Sequence, residues 1–402
     1  MKVLLAHPGT QHSHHLAREL EKRQLLDAFW TGVAFAGNSA AAALARFLGH
    51  MPGLGGLSSR IVEGVPRGTI HTAQLVELRA LLRLRRGGDS LAVLHERNAT
   101  FQEAIPDAAL AHCDAIIGFD TSSWQLAHRS SRQGKTFYLD RTIAHPAVLD
   151  RLMLDLSRKY PDWVGALAPR PAAIIAAENT EHAQARRIVV GGSFARGTLI
   201  DEGIAPERIV VNPYGVDWNR FSMAISASTR RPFRFLYVGS VIARKGVPVL
   251  LEAWRRLAPR DAELLIVGNI GAYERKLIPD LPGLRLIGQV ARSDIAQVYA
   301  SCDVFVLPSL FEGFGLVILE ALASGLPVIS TPHTGAIEAV TEATLGRLVP
   351  ILSVDALVEA MRHYLNTPPQ RSRVAAAAEV LRSRFNWEAY GDRWGALLRD
   401  TA

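Results

Sequence analysis

Residues 303–331, DVFVLPSLFEGFGLVILEALASGLPVIST, contain the pattern that decides the fold. The run DVFVLP is short, apolar and rich in valine and phenylalanine, which predicts a buried β-strand. A helix is predicted to begin near Gly315 and to end at Gly325, because a glycine shortly before Pro327 is a strong helix stop signal. The run LPVIST then predicts a second strand.

The same alternation of short apolar runs and helix-length segments extends along the chain, which predicts a parallel α/β architecture. The predicted strands of the first half are KVLLAH, AFWTGVAF, DAIIGF, KTFYLD and RRIVVGG. Those of the second half are FRFLYVG, AELLIVG, LRLIGQV, DVFVLP, LPVIST and GRLVP.

The length of 402 residues is enough for about two or three domains. The stretch SMAISASTRRP, residues 222–232, is small, polar and ends in proline, so we predict a domain boundary near residues 216–231. Two α/β domains imply two sheets with a cleft between them. Ligands of open parallel sheets bind beyond the carboxyl ends of the strands, so the functional residues should lie on strand-to-helix loops.

Composition excludes some classes of protein and leaves others open. Hydrophobic residues make up 49% and charged residues 21%, which is typical of a globular protein. The net charge of +7 permits an anionic partner, either nucleic acid, a phosphorylated metabolite or an anionic membrane surface. The arginines are spread along the chain and aromatic residues are only 7%, so no basic stripe with stacking aromatics favours nucleic acid.

Cys113 and Cys302 are far apart and flank apolar runs, which predicts buried, reduced thiols in a cytosolic protein. The apolar run at the amino terminus is too short for a signal peptide. No run approaches eighteen uninterrupted apolar residues, so no membrane-spanning segment is expected.

The segment QLVELRALLRLRR, residues 74–86, predicts an amphipathic helix. Leu75, Leu78, Leu82 and either Leu81 or Leu84 share one face. Four arginines lie on or beside the other face: Arg79, Arg83, Arg85 and Arg86. One interpretation is a basic surface helix packed on its own domain. The other is a helix that touches a membrane or a lipid-linked acceptor.

Two acids, Glu312 and Glu320, raise a question of geometry. On one helix they would lie about 80° apart, so they would not share a face. The glycines of EGFG disfavour a helix there, which places Glu312 on the preceding loop and Glu320 in the early turns of the helix. A helix amino terminus attracts phosphate, and carboxylates accept hydrogen bonds from sugar hydroxyls, so the pattern suits a nucleotide sugar. The alternative is a capping and surface role for both acids.

Residues 304–338, VFVLPSLFEGFGLVILEALASGLPVISTPHTGAIE, closely resemble the donor-site signature of family 4 (GT4) retaining glycosyltransferases. The resemblance implies the GT-B fold, in which two Rossmann-like parallel-sheet domains face each other across a cleft. It also implies that Glu320 binds the ribose hydroxyls and that Glu312 contacts the hydroxyls of the donor sugar. The amides around Phe314, Gly315 and Leu316 would bind the diphosphate or the sugar.

A second segment, FLYVGSVIARKGVPVLLEAW (residues 235–254), is similar to the diphosphate-binding segment of the same family. By this resemblance Arg244 and Lys245, next to Gly239 and Ser240, neutralise the charge of the departing nucleoside diphosphate. The alternative for the two cations is an ordinary surface role. The segment LRLIGQVARSDIAQVYASCDVFVLPS likewise places Gln289 and Val290 near the base.

Residues 187–221 resemble the end of the family's first domain and its crossing to the second. The implied organisation is an N-terminal acceptor-side domain over residues 1–215 and a C-terminal nucleotide-sugar domain over residues 216–385. A helix over about 386–402 is expected to pack back on the first domain.

The first domain departs more from the family. In HPGTQHSHHLAREL one glycine, Gly9, stands where members often carry a pair, and Gly9, Thr10 and Gln11 would form the loop that faces the donor phosphates. The nearby histidines could be structural or acceptor-side residues, a catalytic contact, or metal ligands: His7, His12, His14 and His15. No acid completes a metal set, and we expect no metal site.

The run FYLDRTIAHP, residues 137–146, resembles the segment that the family places beside the acceptor. Asp140, Arg141 and His145 are therefore candidates for acceptor orientation, and Asp120 is another acid at a strand end. A structural ion pair or helix cap is an equally open interpretation for each of them.

The sequence thus predicts a retaining, metal-independent glycosyltransferase without a cofactor. Its donor would be a UDP- or GDP-linked sugar and its acceptor a hydroxyl of a glycan or lipid-linked glycan, in bacterial surface polysaccharide or glycoconjugate synthesis. We expect no nucleic acid partner and a cytoplasmic protein, with a peripheral position at the inner face of the membrane left open. The alternatives are a nucleotide-sugar epimerase or hydrolase on the same fold, and a non-catalytic protein that binds sugar nucleotides or nucleic acid.

Overall fold

Two parallel β-sheets organise the chain in a computed structural model that describes residues 1–48, 55–222 and 232–400. We call the part built on the first sheet the N-terminal domain and the part built on the second sheet the C-terminal domain. The predicted parallel α/β class is confirmed.

The N-terminal domain alternates strands and helices as follows. Its strands are β1 (Val3–His7), β2 (Leu26–Thr31), β3 (Phe35–Ala36), β4 (Ile61–Val62), β5 (Ile70–Thr72), β6 (Ala115–Phe119), β7 (Thr136–Arg141), β8 (Arg187–Val190) and β9 (Ile209–Val211). Its helices are α1 (Ser13–Lys22), α2 (Ala40–Leu48), α3 (Gln74–Arg85), α4 (Ser90–Glu103), α5 (Asp107–His112), α6 (Trp124–Arg132), α7 (Pro146–Lys159), α8 (Pro161–Val164), α9 (Ala172–Gln184) and α10 (Ser193–Asp201). The sheet order is β5-β2-β1-β6-β7-β8-β9, and β3 pairs with β4 beside it.

The C-terminal domain follows after α11 (Trp218–Ser222). Its strands are β10 (Phe233–Val238), β11 (Ala262–Val267), β12 (Leu284–Gly288), β13 (Val304–Leu307), β14 (Val328–Ser330) and β15 (Gly346–Leu348). Its helices are α12 (Val247–Leu257), α13 (Ala272–Leu277), α14 (Ile295–Ala300), α15 (Leu316–Ala323), α16 (Ala336–Ala339), α17 (Val354–Asn366) and α18 (Arg371–Arg382), and α19 (Trp387–Asp400) closes the chain. The sheet order is β12-β11-β10-β13-β14-β15.

The strand order of each sheet reverses beside its first strand. In the N-terminal domain β1 lies between β2 and β6, and in the C-terminal domain β10 lies between β11 and β13. Loops on either side of such a reversal diverge to opposite faces and leave a crevice at the carboxyl ends of the strands. The loops after β1, β6, β10 and β13 are therefore the positions where ligands are expected.

The helix predicted between Gly315 and Gly325 is confirmed as α15, Leu316–Ala323. Gly315 has φ +86° and Gly325 has φ +74°, conformations that glycine adopts without the steric cost of a side chain. Ile318, Leu319 and Leu322 are fully buried, so the apolar residues of the quoted stretch are core.

Some strands differ from the sequence-based expectation. The run AFWTGVAF divides between β2 and the separate β3, and β5 was not predicted. Three-residue strands such as β5 and β9 carry too little periodicity to be distinguished from loops. Most of the predicted boundary segment, residues 223–231, lies outside the described residues, so the boundary stays a prediction.

The last helix packs on the first one. Arg23, the residue after α1, donates to the carboxylate of Asp392 at 2.7 Å and to the carbonyl oxygen of Glu388 at 2.8 Å. In the link between the domains, Asn212 accepts a hydrogen bond from Arg393 at 2.6 Å. The end of the chain therefore lies against the N-terminal domain.

Both cysteines are buried, as predicted. Within the described residues, no helix is long and apolar enough to cross a membrane.

Candidate active site

A cavity of about 990 Å³ lies between the two domains, and we call it the inter-domain cavity. Among the residues predicted to bind the donor, it is lined by Gln11, Phe314, Gly315, Leu316 and Glu320. The structure thus brings the loop after β1 and the amino end of α15 to the same space.

Glu320 projects from α15 into a polar setting. One of its carboxylate oxygens accepts a hydrogen bond of 2.9 Å from the hydroxyl of Tyr299, a buried residue of α14. Burial raises the pKa of Glu320, while the Tyr299 hydrogen bond and the charges of Arg220 and Arg292 act in the opposite direction. The carboxylate is therefore oriented before any ligand arrives.

Glu312 has different partners. Its carboxylate accepts hydrogen bonds from Lys245 at 2.8 Å and from the Ser309 hydroxyl at 2.9 Å, and it lies 3.5 Å from Arg244. We call Arg244, Lys245 and Glu312 the charged triad. The triad lies at the carboxyl ends of β10 and β13, at the reversal in strand order, but its members are not among the residues that line the inter-domain cavity.

The loop after β10 makes room for the triad. Gly239 has φ +155°, and a side chain there would approach the Lys245 side chain to 3.3 Å. The hydroxyl of Tyr237 donates to the carbonyl oxygen of Ser240 at 2.8 Å and fixes the loop. Gly239 and Ser240 therefore position the side chain of Lys245.

The residues predicted near the base lie beyond β12. Gln289 is exposed and Val290 is half-buried, and neither lines the inter-domain cavity in the described part of the chain. Arg292 does line it, together with Arg220. The pKa of Arg220 is lowered by burial and by the neighbouring charge of Arg292, so an anion beside the two guanidinium groups would be stabilised.

Contacts within the segment 7–13 fix the conformation of the loop after β1. The Ser13 hydroxyl donates to the carbonyl oxygen of Thr10 at 2.8 Å. A side chain on Gly9 would lie 2.9 Å from the His7 ring nitrogen, so a glycine is required for this close approach. The backbone of the loop is therefore tightly folded at the point where the donor phosphates were predicted to bind.

The four histidines of this region differ in their surroundings. His7 is buried, and burial lowers its pKa well below the usual value, so the imidazole is neutral. His12 binds Asp140 at 2.9 Å, and His15 stacks on Trp387 with ring centroids 3.8 Å apart. Within the described residues, no group of three or more His, Cys, Asp or Glu side chains could hold a metal.

Asp140 and Arg141 are buried in the N-terminal domain. Asp140 accepts hydrogen bonds from His12 and, at 3.0 Å, from Tyr390, and it thereby joins β7 to both α1 and α19. Arg141 lies 3.5 Å from Glu178 and donates to the carbonyl oxygen of Ala144 at 3.1 Å. Neither is among the described residues that line the cavity, so these contacts favour the structural interpretation.

His145 caps α7, because its ring nitrogen accepts a hydrogen bond from the Ala147 amide at 3.3 Å. Burial and the charge of Arg141 lower the pKa of His145 to about 4. Asp120 accepts from the Thr142 amide at 2.9 Å, and Thr142 lines the inter-domain cavity. The acceptor role of both residues stays a prediction.

Sequence reasoning missed a set of cationic cavity residues: Arg18, Lys22, Arg220, Arg292 and Arg382. They come from α1, α11, the loop after β12 and α18, which are far apart in the chain. A local motif contains no signal for them, because only the fold brings them together.

The architecture defines a class of protein. Two parallel sheets with helices on both sides face a common cavity, and the whole chain superimposes on solved GT-B glycosyltransferases. The Anabaena protein HepE in complex with UDP and glucose has a TM-score of 0.64 and 16% identity over 100% of both chains. Sucrose-phosphate synthase from Thermosynechococcus elongatus has a TM-score of 0.65 and 19% identity over 100% of this chain and 99% of that one.

The sequence comparisons show which proteins the chain is similar to. Residues 232–367 match the family model described as glycosyl transferases group 1. A GDP-mannose-dependent monoacylated alpha-(1-6)-phosphatidylinositol monomannoside mannosyltransferase of Corynebacterium glutamicum is 35% identical over 211 residues, 46% of this chain and 55% of the relative. An MMP alpha-(1->4)-mannosyltransferase of Mycolicibacterium hassiacum is 30% identical over 275 residues, 63% of each protein.

The chain is therefore similar to GT4-like glycosyltransferases, in agreement with the resemblance of its donor-site motifs. The chain spans between about half and two thirds of the length of the curated relatives it matches. The matched model lies in the C-terminal domain.

Proposed function

We propose that the protein transfers a sugar from a UDP- or GDP-linked donor to an acceptor hydroxyl, with retention of the anomeric configuration. The observation that carries this proposal is the position of α15. Its amino end and the carboxylate of Glu320 border one cavity between the domains, which suits a phosphate and a pair of ribose hydroxyls.

The charged triad supplies the chemistry of the leaving group. Arg244 and Lys245 would stabilise the charge that develops on the nucleoside diphosphate as the glycosidic bond breaks. In the present structure both cations are bound to Glu312. A diphosphate would compete for them, and the released carboxylate could then accept hydrogen bonds from the donor sugar.

The retaining step requires attack from the face that the leaving group occupies. We propose that the leaving phosphate takes the proton of the acceptor hydroxyl, so that no covalent enzyme intermediate forms. Because Arg244 and Lys245 neutralise the diphosphate in this scheme, a metal ion is not required. Closure of the domains would exclude water and prevent hydrolysis of the donor.

The acceptor side of the reaction is assigned to the N-terminal domain. Thr142 and Ile143 lie on the cavity next to the Asp120 contact, and Gln11 lies on the opposite loop. We propose a glycan or lipid-linked glycan acceptor in surface polysaccharide or glycoconjugate synthesis, and a location in the cytoplasm or at the inner face of the membrane. The Corynebacterium relative, a phosphatidylinositol monomannoside mannosyltransferase, supports a glycolipid as one form of such an acceptor.

A thermal-shift series tests the proposal. UDP, GDP and their sugars should raise the Tm, because a ligand at 100 times its Kd stabilises the native state by about 2.7 kcal/mol. Uridine and guanosine serve as controls, since they lack the diphosphate that the helix terminus and the cations would bind. If no nucleoside diphosphate or sugar nucleotide raises the Tm above these controls, the proposed function is wrong.

A further inference from the structure

The helices α7 and α8 follow strands of the N-terminal domain in the chain, but their buried apolar contacts lie on the other domain. We call residues 146–164 the bridging segment. Its Leu156 is fully buried. It forms a small apolar cluster with three buried residues from the loops after β10 and β13: Ala243, Leu310 and Phe311. The two large core clusters contain no buried residue of the bridging segment, all of which the structure describes.

Hydrogen bonds also join the bridging segment to the C-terminal domain. The hydroxyl of Tyr160 donates to the carboxylate of Glu252 on α12 at 2.8 Å. The hydroxyl of Tyr273 on α13 donates to the carbonyl oxygen of Asp162 at 2.7 Å. Two further helices of the C-terminal domain therefore hold the segment beside the apolar cluster.

The contact of α7 with α10 of its own domain is more exposed. Arg151 pairs with Glu202 at 2.5 Å, and 61% of the Arg151 side chain is accessible to solvent. An ion pair at such a position contributes little to stability, because water competes with it. Leu156 is therefore better anchored to the C-terminal domain than this surface pair is to the N-terminal one.

The apolar cluster lies directly beside the charged triad. Ala243 precedes Arg244 in the chain, and Phe311 precedes Glu312. The two loops are also tied to each other. The Leu310 amide donates to the carbonyl oxygen of Arg244 at 2.9 Å, and the Arg244 guanidinium group donates to the carbonyl oxygen of Phe311 at 2.9 Å. The bridging segment thus packs on the two loops that carry the triad.

The position of these loops decides where the charges of the triad lie. A displacement of about 1 Å of a catalytic group can lower a rate about 100-fold. Groups at a functional site keep their geometry only if the residues behind them are packed. Separation of the domains would take Leu156 away from the loops and leave Leu310 and Phe311 without that cover.

We propose that the bridging segment positions the charged triad, so that the leaving-group site is fully formed only while the two domains are docked. Leu156 is then a positioning residue that acts through Arg244 and Lys245. The catalytic part of this inference rests on the proposed function, whereas its effect on the conformation of the two loops does not.

Hydrogen–deuterium exchange of the full chain tests the effect on the loops. Leu156→Ala should raise the exchange rates of the amides of residues 243–246 and 310–313 at least fivefold, because their apolar cover is lost. Leu156→Met fills a similar volume and should keep the wild-type rates. Leu126→Ala removes another fully buried leucine, on α6 in the core of the N-terminal domain, and should leave these amides unchanged.

Kinetics test the effect on catalysis. The assay is the release of nucleoside diphosphate from the UDP- or GDP-sugar that raises the Tm. Leu156→Ala should lower kcat at least tenfold with a donor KM within threefold, whereas Leu156→Met and Leu126→Ala should stay near wild type. Because Leu156 acts through the triad, adding Leu156→Ala to Lys245→Ala should lower kcat by less than a further threefold.

A second variant keeps the test valid if Leu156→Ala does not fold. Tyr160→Phe/Tyr273→Phe removes both hydrogen bonds and leaves the apolar cluster intact. It should raise the loop exchange rates and lower kcat, each at least threefold. Tyr364→Phe on α17 is the matched control, since its buried hydroxyl has no hydrogen-bond partner among the described residues.

Two results would overturn the inference. The first is wild-type exchange of both loops in the tyrosine variant and in folded Leu156→Ala. The second is a tenfold loss of kcat from Leu156→Ala that persists in the Lys245→Ala background, since Leu156 would then act independently of the triad. Faster loop exchange in a protein that binds no nucleotide refutes only the proposed function. Unchanged loop exchange in a protein that turns over a sugar nucleotide refutes only the positioning role.

Discussion

Glu320 and Glu312 differ in what holds them, and this difference separates their predicted roles. Glu320 accepts a hydrogen bond from a neutral hydroxyl, and the charges of Arg220 and Arg292 act on it without an ion pair among the described residues, so its carboxylate keeps acceptor capacity for a ligand. Glu312 is held by two cations, so it becomes available only if something else binds them. Glu320 is therefore suited to binding the donor in the ground state. Glu312 is suited to a contact with the donor that forms after the diphosphate has bound to Arg244 and Lys245.

The first residue-scale prediction concerns Glu320. Glu320→Gln keeps the size of the side chain but removes its charge, and we expect the Kd of UDP or GDP to rise about tenfold, equivalent to ~1.4 kcal/mol. Titration calorimetry would measure it. Glu359→Gln, at an exposed position of α17 outside the cavity lining, is the matched control and should stay near wild type. Equal affinity of the Glu320 variant and the wild type would remove Glu320 from the nucleotide site.

The second prediction concerns Lys245. Lys245→Ala should lower kcat by about 100-fold or more with a donor KM within a few-fold, because the ammonium group acts mainly on charge that develops as the bond breaks. Steady-state kinetics separate the two constants. Arg255→Ala on the exposed side of α12 controls for the loss of one surface cation. A variant that loses only donor affinity would show that Lys245 binds the ground state.

Among the helices and strands, the sequence predicts best those whose start and stop residues lie next to them in the chain. Two glycines and a proline delimit α15, so its start and end follow from residues within a few positions of the helix. The helix α3 shows the opposite case. Its periodicity predicts a leucine face correctly, but periodicity does not specify which face meets the domain, and the structure packs Glu77 and Ala80 inward instead.

The candidate site was predictable to a similar, uneven degree. Phe314, Gly315, Leu316 and Glu320 belong to one contiguous motif, and the structure places all of them on the cavity. Asp140 could not be assigned, because its partners His12 and Tyr390 lie far from it in the sequence and only the fold unites them. Arg220 and Arg292 were missed for the same reason.

At the scale of the molecule, the two domains touch closely in front of the charged triad. A side chain on Gly313 would lie 1.9 Å from the carbonyl oxygen of Thr142 in the other domain. Further across the interface, the carboxylate of Glu338 accepts a hydrogen bond from the Ser193 amide, and His333 stacks on Phe194 with centroids 4.1 Å apart. The structure therefore shows an arrangement in which the domains are in contact.

The whole-molecule prediction follows from this contact. Gly313→Ala should lower kcat by at least tenfold, because the added methyl group prevents the domains from approaching to the same distance. The Tm should change little, since the position lies between the two cores. Gly197→Ala on α10 has nothing within 4 Å of the added carbon and is the matched control. Wild-type turnover in Gly313→Ala would mean that this approach is not needed for transfer.

The return of α19 has a mechanical consequence. The chain crosses between the domains twice, and the crossings touch: the Val216 amide donates to the carbonyl oxygen of Phe385 at 3.0 Å, and Trp218 donates to the same oxygen at 2.9 Å. Gly215 leaves no space between them, since a side chain there would lie 2.3 Å from the backbone of Asn386. These two adjacent crossings define a single hinge axis for the domains. Rotation about that axis is the easy motion, and a loop moves further the greater its distance from the axis. The loop after β1 lies beside the axis, since the rings of His12 and Tyr214 are 4.2 Å apart, so domain rotation changes its position little.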